Sequence, residues 1–139
     1  MNGAVLVDTS VWIDHLRGRP SAAAVQLAAW LADDPDCIVV NEVVTTELVR
    51  GVNDEAEALE LLHALDKLPQ ADALVHADWL QSASLYRRCR RAGLKVRSPM
   101  DCLIAAHALR LNLPLRAIDR DFDAMATQAP LELFKAVGA

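Results

Sequence analysis

The sequence predicts an α/β fold, a mostly parallel sheet covered on both faces by helices, and three observations predict it. Short apolar runs rich in β-branched residues recur along the chain, as strands buried on both faces do. Between them lie longer stretches with apolar residues at helical spacing. Acidic residues or helix-capping residues follow the runs, where ligands bind in open α/β sheets. Alternating strands and helices of this kind build three layers, α/β/α.

The first strand is read at residues 4–7, Ala4-Val5-Leu6-Val7, and ends on Asp8. Thr9 and Ser10 follow, and a helix over 11–17 is expected, for which Asp8 or Ser10 is a natural cap. Ala24, Leu27, Ala28 and Leu31 form one stripe of a helix over 21–32, broken by Asp33-Asp34-Pro35-Asp36. Cys37-Ile38-Val39-Val40 is the second strand. Asn41 or Thr45 starts a helix that carries Val43, Val44, Glu47 and Leu48 and stops near Gly51. Asn53 or Asp54 caps the next, with Ala58, Leu61, Leu62 and Leu65 on one face.

Residues 68–75 form a short strand or an extended connection around Pro69. A long helix over 77–92 is basic towards its end and stops at Gly93. Another starts at Asp101, with Ile104, Ala105, Ala108 and Leu111 on its stripe, and closes at Asn112 and Pro114. Residues 115–118 read as a strand, 119–123 as a turn or helix start, and 131–134 as a last strand.

The 139 residues fit a single domain spanning 1–139, without repeat or linker. No apolar run reaches the length of a membrane span, and the start of the chain has no signal-peptide pattern, so a cytoplasmic protein is expected. Cys37, Cys89 and Cys102 are odd in number and widely spaced, which fits a reducing compartment and excludes a CxxC metal site. A net charge of −5 excludes indiscriminate nucleic-acid binding over the whole surface and leaves room for a local basic patch. The absence of GxxxxGK, GxGxxG and GxSxG weakens nucleotide-hydrolase, dehydrogenase and serine-esterase readings. Asp8-Thr9-Ser10 also lacks the second acid of a DxD phosphotransfer motif.

Four acids are singled out by position: Asp8, Glu47, Asp101 and Asp119. Each has an ordinary alternative. Asp8 caps a helix, Glu47 pairs with Arg50, Asp101 complements a helix dipole and Asp119 sits in a turn. Together they place acids beside the ends of successive strands. Converging carboxylates repel one another, and a hard divalent cation relieves that repulsion. Mg²⁺ or Mn²⁺ suits such oxygen ligands and a shell completed by water and phosphate. Ser10 or Thr9 would add a hydroxyl. Arg87, Arg88, Arg90 and Arg91, with Lys95 and Arg97 beyond, form the one dense basic cluster. It tracks an RNA backbone toward the Asp101 segment or is a solvated helix end that favours the dipole. The four His are dispersed, and Trp12, Trp30 and Trp79 lie on helical stripes suited to packing or dimer contacts.

The segments Val7-Asp8-Thr9-Ser10-Val11-Trp12-Ile13-Asp14, Thr46-Glu47-Leu48-Val49-Arg50-Gly51, Asp101-Cys102-Leu103-Ile104-Ala105-Ala106-His107-Ala108 and Asp119-Arg120-Asp121-Phe122 occur in order. In this the chain resembles PIN-domain ribonucleases of the VapC type, the toxins of type II toxin–antitoxin pairs, over nearly its whole length. The resemblance implies a four- or five-stranded parallel sheet between helices and Mg²⁺-dependent endonucleolytic cleavage of RNA. It also implies a homodimer and inhibition by a cognate VapB-type antitoxin. By position, Asp8, Glu47, Asp101 and Asp119 match the family's acidic quartet of metal and catalytic residues. In the expected mechanism a metal-activated water attacks phosphorus in line and leaves a 5′-phosphate and a 3′-hydroxyl. The chain departs from the pattern at Ala117-Ile118-Asp119, where the family often has a Thr or Ser two residues before the acid. Asp121 therefore shares or replaces the role of Asp119. The alternative is a catalytically silent PIN-like module that binds RNA or protein.

Overall fold

In the computed structural model, which describes residues 3–134, three strands form one parallel sheet. β1 (Val5–Val7) lies in the middle, between β2 (Ile38–Val39) and β3 (Leu115–Arg116). Seven α-helices surround it: α1 (Thr9–Leu16), α2 (Ala22–Asp33), α3 (Glu42–Arg50), α4 (Glu55–Asp66), α5 (His76–Arg91), α6 (Pro99–Leu111) and α7 (Asp121–Ala126). The expected four or five strands are not found among the described residues. The stretches at 68–75 and 131–134 contribute one parallel bridge each, Val40 to Gln70 and Leu115 to Leu133, at the two edges of the sheet. Pro69 has no N–H to donate, and Pro130 precedes the other edge, so neither stretch extends its ladder.

The chain moves from β1 to β2 and on to Gln70 in one direction, then returns past β1 to β3. With right-handed crossovers, that reversal puts α1 to α4 over one face and α5 and α6 over the other. The packing follows this division, with α1 against α2 and α3, α3 against α4, and α5 and α6 on each other and on α7, while α3 also touches α6. Both faces being covered, every residue of β1 and β2 is buried, and Leu6, Val7 and Ile38 are fully so. Each such side chain contributes about 1.5–3 kcal/mol of apolar burial.

Several boundaries differ from expectation for local reasons. Pro35 starts a short 3₁₀ turn through Cys37, so β2 is only two residues long. α1 begins at Thr9 because Asp8 itself is its N-cap. Asn41, rather than Thr45, caps α3, and Asp54, rather than Asn53, caps α4. α6 begins at Pro99, two residues before Asp101, since proline is suited to the first helical turn. It ends at Asn112 in the left-handed conformation, φ 55°.

Candidate active site

Because the strands are parallel, their carboxyl ends share one edge of the sheet, and the chain's reversal opens a crevice beside β1 there. Asp8 follows β1 and its backbone N–H still donates to Arg116 O (2.9 Å), continuing the ladder with β3. Its Oδ2 accepts from the Ser10 backbone N–H (3.0 Å) and from the Ser10 hydroxyl (2.6 Å). Its Oδ1 is buried and has no partner among the described residues. Burial raises the Asp8 pKa against the Ser10 hydrogen bonds, and the charge of Glu47 adds to the rise.

Glu47 reaches the crevice from α3. Its Oε1 accepts from the Thr9 hydroxyl (2.7 Å), while its Oε2 lies 3.8 Å from Arg50 Nη2. The Arg50 pairing anticipated as an alternative is therefore present, on the outer side of a carboxylate held from within. Asp101, in the first turn of α6, comes from the opposite face of the sheet. Burial pushes its pKa up to about 7, with contributions from the charges of Asp8, Asp119, Glu47 and Asp121. Asp119 and Asp121 flank the start of α7. One carboxylate oxygen each from Asp101, Asp119 and Asp121 lies within 4.8 Å of the others.

Of the expected quartet, Asp101 and Asp119 come together, and Asp121 joins them. The tightest group is Asp101, Asp119 and Asp121, whereas Asp8 and Glu47 bear on Asp101 through their charge. The hydroxyl missing upstream of Asp119 has a substitute from across the sheet: Ser10 Oγ accepts from the Ile118 N–H (3.2 Å) while donating to Asp8. Ser10 and Thr9 are accordingly engaged in holding acids. Asp119 Oδ1 also accepts from the Asp121 N–H (2.9 Å), a local turn that brings both carboxylates to the crevice.

Sequence reasoning missed the link between the two faces. The Asn41 side chain caps α3 through the Val44 N–H (2.9 Å) and donates from Nδ2 to His107 Nδ1 (3.1 Å) on α6. His107 Nε2 donates to Asp72 O (2.8 Å), which fixes the ring's tautomer. This buried chain of bonds ties the helix carrying Glu47 to the helix carrying Asp101. No local pattern announces it, since Asn41 reads only as one of two candidate helix starts and His107 as one of four dispersed histidines.

Arg97 was also read only as part of the basic cluster. Its Nη2 donates to Asp119 Oδ1 (3.0 Å), and its backbone N–H and Nε donate to Asp121 Oδ2 (2.9 and 3.4 Å). Within the cluster itself, Arg88 turns inward, donates to Gln128 O (3.1 Å), and its Nε is buried. Arg88 lies on the same helix face as Leu85 and Cys89, which pack into the core. Arg87, Arg90 and Arg91 remain exposed. Arg90 lies over the Tyr86 ring at 5.8 Å, and with Arg87 it lines a cleft of about 310 Å³ that also includes Pro99 and Cys102 beside Asp101. Of the tryptophans, Trp12 is buried, Trp30 packs edge-on to Phe134, and Trp79 is half exposed above a cleft shared with Glu47 and Met100.

The PIN-domain family profile matches residues 5–128. The chain belongs to the PIN-domain family. Within that family it is 35% identical over 122 residues to VapC ribonuclease Mb1587 of Mycobacterium bovis, covering 88% of this chain and 91% of the relative. The same figures hold for ribonuclease VapC11 of Mycobacterium tuberculosis. The likeness places the chain among the VapC ribonucleases. The fold extends to VapBC-1 of nontypeable Haemophilus influenzae, with a TM-score of 0.73 at 18% identity over 94% of this chain and 96% of that one. VapBC2 of Rickettsia felis, bound to a DNA fragment from its promoter, gives 0.69 at 18% identity, over 94% and 97%. Among the described residues no helix of this PIN domain is long and apolar enough to cross a membrane.

Proposed function

We propose that the protein is a Mg²⁺-dependent endoribonuclease, with Mn²⁺ a workable substitute, and that it acts as the toxin of a toxin–antitoxin pair. The observation that carries this reading is Asp8 Oδ1, a buried oxygen without a partner among the described residues, whose charge bears on Asp101, a carboxyl pushed up to about 7. A protein interior leaves such a group incomplete only at a cost of about 1–3 kcal/mol, which a ligand of opposite charge removes. Hard carboxylate oxygens and the absence of thiolate or paired imidazole donors at the crevice fit Mg²⁺ or Mn²⁺. Asp8, Glu47, Asp101 and Asp119 would hold the cation, with Asp121 sharing the place of Asp119.

When bound, the cation supplies charge stabilisation at the phosphodiester and lowers the cost of deprotonating water. The chain's own residues do the rest. Thr9 and Ser10 fix the orientation of Glu47 and Asp8 by hydrogen bonds, so the carboxylates need little reorganisation on binding. Arg87, Arg90 and Arg91 offer phosphate contacts on the approach past α6, whereas Arg88 is engaged elsewhere.

The VapC relatives are named as ribonucleases and the structural neighbours as VapBC complexes, which supports RNA as substrate and a VapB-type antitoxin as partner. A cytoplasmic homodimer with residues 1–139 as one domain completes the proposal. The test is incubation of purified protein with defined RNAs in Mg²⁺ and in EDTA, beside an Asp8→Asn control. Cleavage in Mg²⁺ that EDTA and the substitution abolish is expected. RNA binding without cleavage would assign the silent module instead, and cleavage indifferent to EDTA would sink the metal mechanism.

A further inference from the structure

The five carboxylates of the crevice fall into two sets. Among the described residues Asp8 Oδ1 is unpartnered and Asp101 is acceptor to no side chain, while Glu47 accepts from the Thr9 hydroxyl and has Arg50 at 3.8 Å only on its outer side. Asp119 and Asp121 instead converge on one guanidinium, that of Arg97. That side chain is 76% exposed, yet its backbone N–H, Nε and Nη2 are all engaged with the two acids. Nη1 has no partner among the described residues, so a fork half-used from below presents its other side to solvent.

An exposed arginine ordinarily gains little from such pairing, because holding a long side chain in one geometry offsets the Coulomb gain. Here the geometry is imposed by the backbone bond to Asp121, which fixes the stem as well as the head. A preorganised guanidinium with free N–H groups is the side chain best matched to a phosphate oxygen. It also stands where an RNA backbone must pass. The exposed Arg87 and Arg90 line the cleft beside Pro99, Arg97 precedes Pro99 by two residues, and the acids follow.

We propose that Arg97 is a substrate-binding residue that takes a phosphate oxygen of the RNA at the acidic crevice, held ready for it by Asp119 and Asp121. This rests on the nuclease reading above. It gives Asp121 a task of its own, as support for the arginine.

The test uses the full chain carrying Asp101→Asn, so that a fluorescein-labelled single-stranded RNA of 12 random nucleotides stays intact during titration. Fluorescence anisotropy is read across a salt series with Arg97, Arg97→Gln and Arg97→Lys, alongside melting curves that verify folding. Arg97→Gln is expected to weaken binding about tenfold near 0.1 M salt and to flatten the log–log salt slope by about 0.7, the share of one phosphate on a single strand. Arg97→Lys is expected to keep the slope while weakening binding several-fold, since the charge stays and the fork is lost. In the background with Asp101 intact, Arg97→Gln is expected to raise KM more than it lowers kcat. An affinity and slope unchanged by Arg97→Gln would overturn the proposal and leave Arg97 a counter-ion of Asp119 and Asp121. If the parent cleaves no RNA, the nuclease reading fails by itself and the slope still decides on Arg97. A parent that binds no RNA at any salt overturns both.

Discussion

Asp8 and Asp78 are both buried carboxylates at helix starts, with 3% and 1% of their surface exposed, and they differ in everything else. Asp78 is complete. Arg110 forks onto it, Nε to Oδ1 at 2.7 Å and Nη2 to Oδ2 at 3.0 Å, and the Val75 N–H adds a bond at 2.9 Å. Burial raises its pKa, but the Arg110 fork and the Val75 bond outweigh that and bring it below the ordinary value. Asp8 has a serine on one oxygen and, among the described residues, nothing on the other, and its pKa is raised. A buried acid supplied with its counter-ion by the fold holds elements together, here the N-terminus of α5 to the end of α6. A buried acid left incomplete, with the Glu47 charge adding to its cost, is where we propose that a cation supplies the missing partner.

The comparison breaks first on activity. Asp101→Asn and Asp8→Asn are each expected to lower Mg²⁺-dependent RNA cleavage by at least about 10²–10³-fold, the loss typical of removing a group that stabilises transition-state charge. Gel-resolved cleavage of a defined RNA checks this, and retention of activity in either variant would move the site elsewhere. Arg110→Ala should leave that chemistry largely intact and lower stability, because it strands the buried Asp78 charge. Urea denaturation measures it. An unchanged stability would mean that water replaces the arginine and Asp78 is not a structural pair.

Acidity sharpens the contrast. The Asp101 pKa rises from 3.8 to about 7 on folding. The folded chain therefore binds more protons than the unfolded one across that interval, and stability falls as pH rises through it. In EDTA the protein should melt higher at pH 5 than at pH 8, and Asp101→Asn should flatten the difference. Asp78 acts with the opposite sign: its pKa is lowered, so its contribution is present above the ordinary carboxylate range and is lost as pH falls below it. A parent equally stable at pH 5 and 8 would contradict the account of Asp101. The smallest effect concerns the basic helix end. Replacing Arg87 and Arg90 together should flatten the salt slope of RNA binding by about 1.4, while replacing Arg88 should lower stability and leave the slope alone.

Much of this was legible in the sequence because it is local. Val5-Leu6-Val7 ending on Asp8, and Asn41 ahead of the α3 stripe, announce a strand and a cap through neighbouring residues alone. Asp8, Glu47, Asp101 and Asp119 could be singled out one by one from their places at strand ends, a helix start or an apolar helix face, and Asp121 only as a stand-in for Asp119. What tertiary structure alone supplies was not. Ser10 reaches Ile118, Asn41 reaches His107 and Arg97 reaches Asp119 and Asp121 across separations that leave no periodic trace. The stretch at 68–75, read as a strand or an extended connection, and the strand expected at 131–134 form one bridge each among the described residues. An apolar run sets burial, whereas a ladder needs free N–H groups along an edge, and these edges form only single bridges. The four arginines in a row of five look alike in sequence, although helix geometry turns Arg88 toward Gln128 and leaves Arg87, Arg90 and Arg91 exposed.

The central claim is that the acids of the crevice await a divalent cation and that those elsewhere do not. Melting of the parent and of Asp101→Asn, each in EDTA and in saturating Mg²⁺ at neutral pH, tests it most directly. In EDTA the variant is expected to melt no lower than the parent, and higher by about 3–5 °C for each kcal/mol of repulsion relieved. Mg²⁺ is expected to raise the parent's melting temperature by selective binding to the folded state, and the variant's much less. Equal gains in both proteins, or a variant markedly less stable in EDTA, would contradict the claim and make Asp101 a structural acid like Asp78.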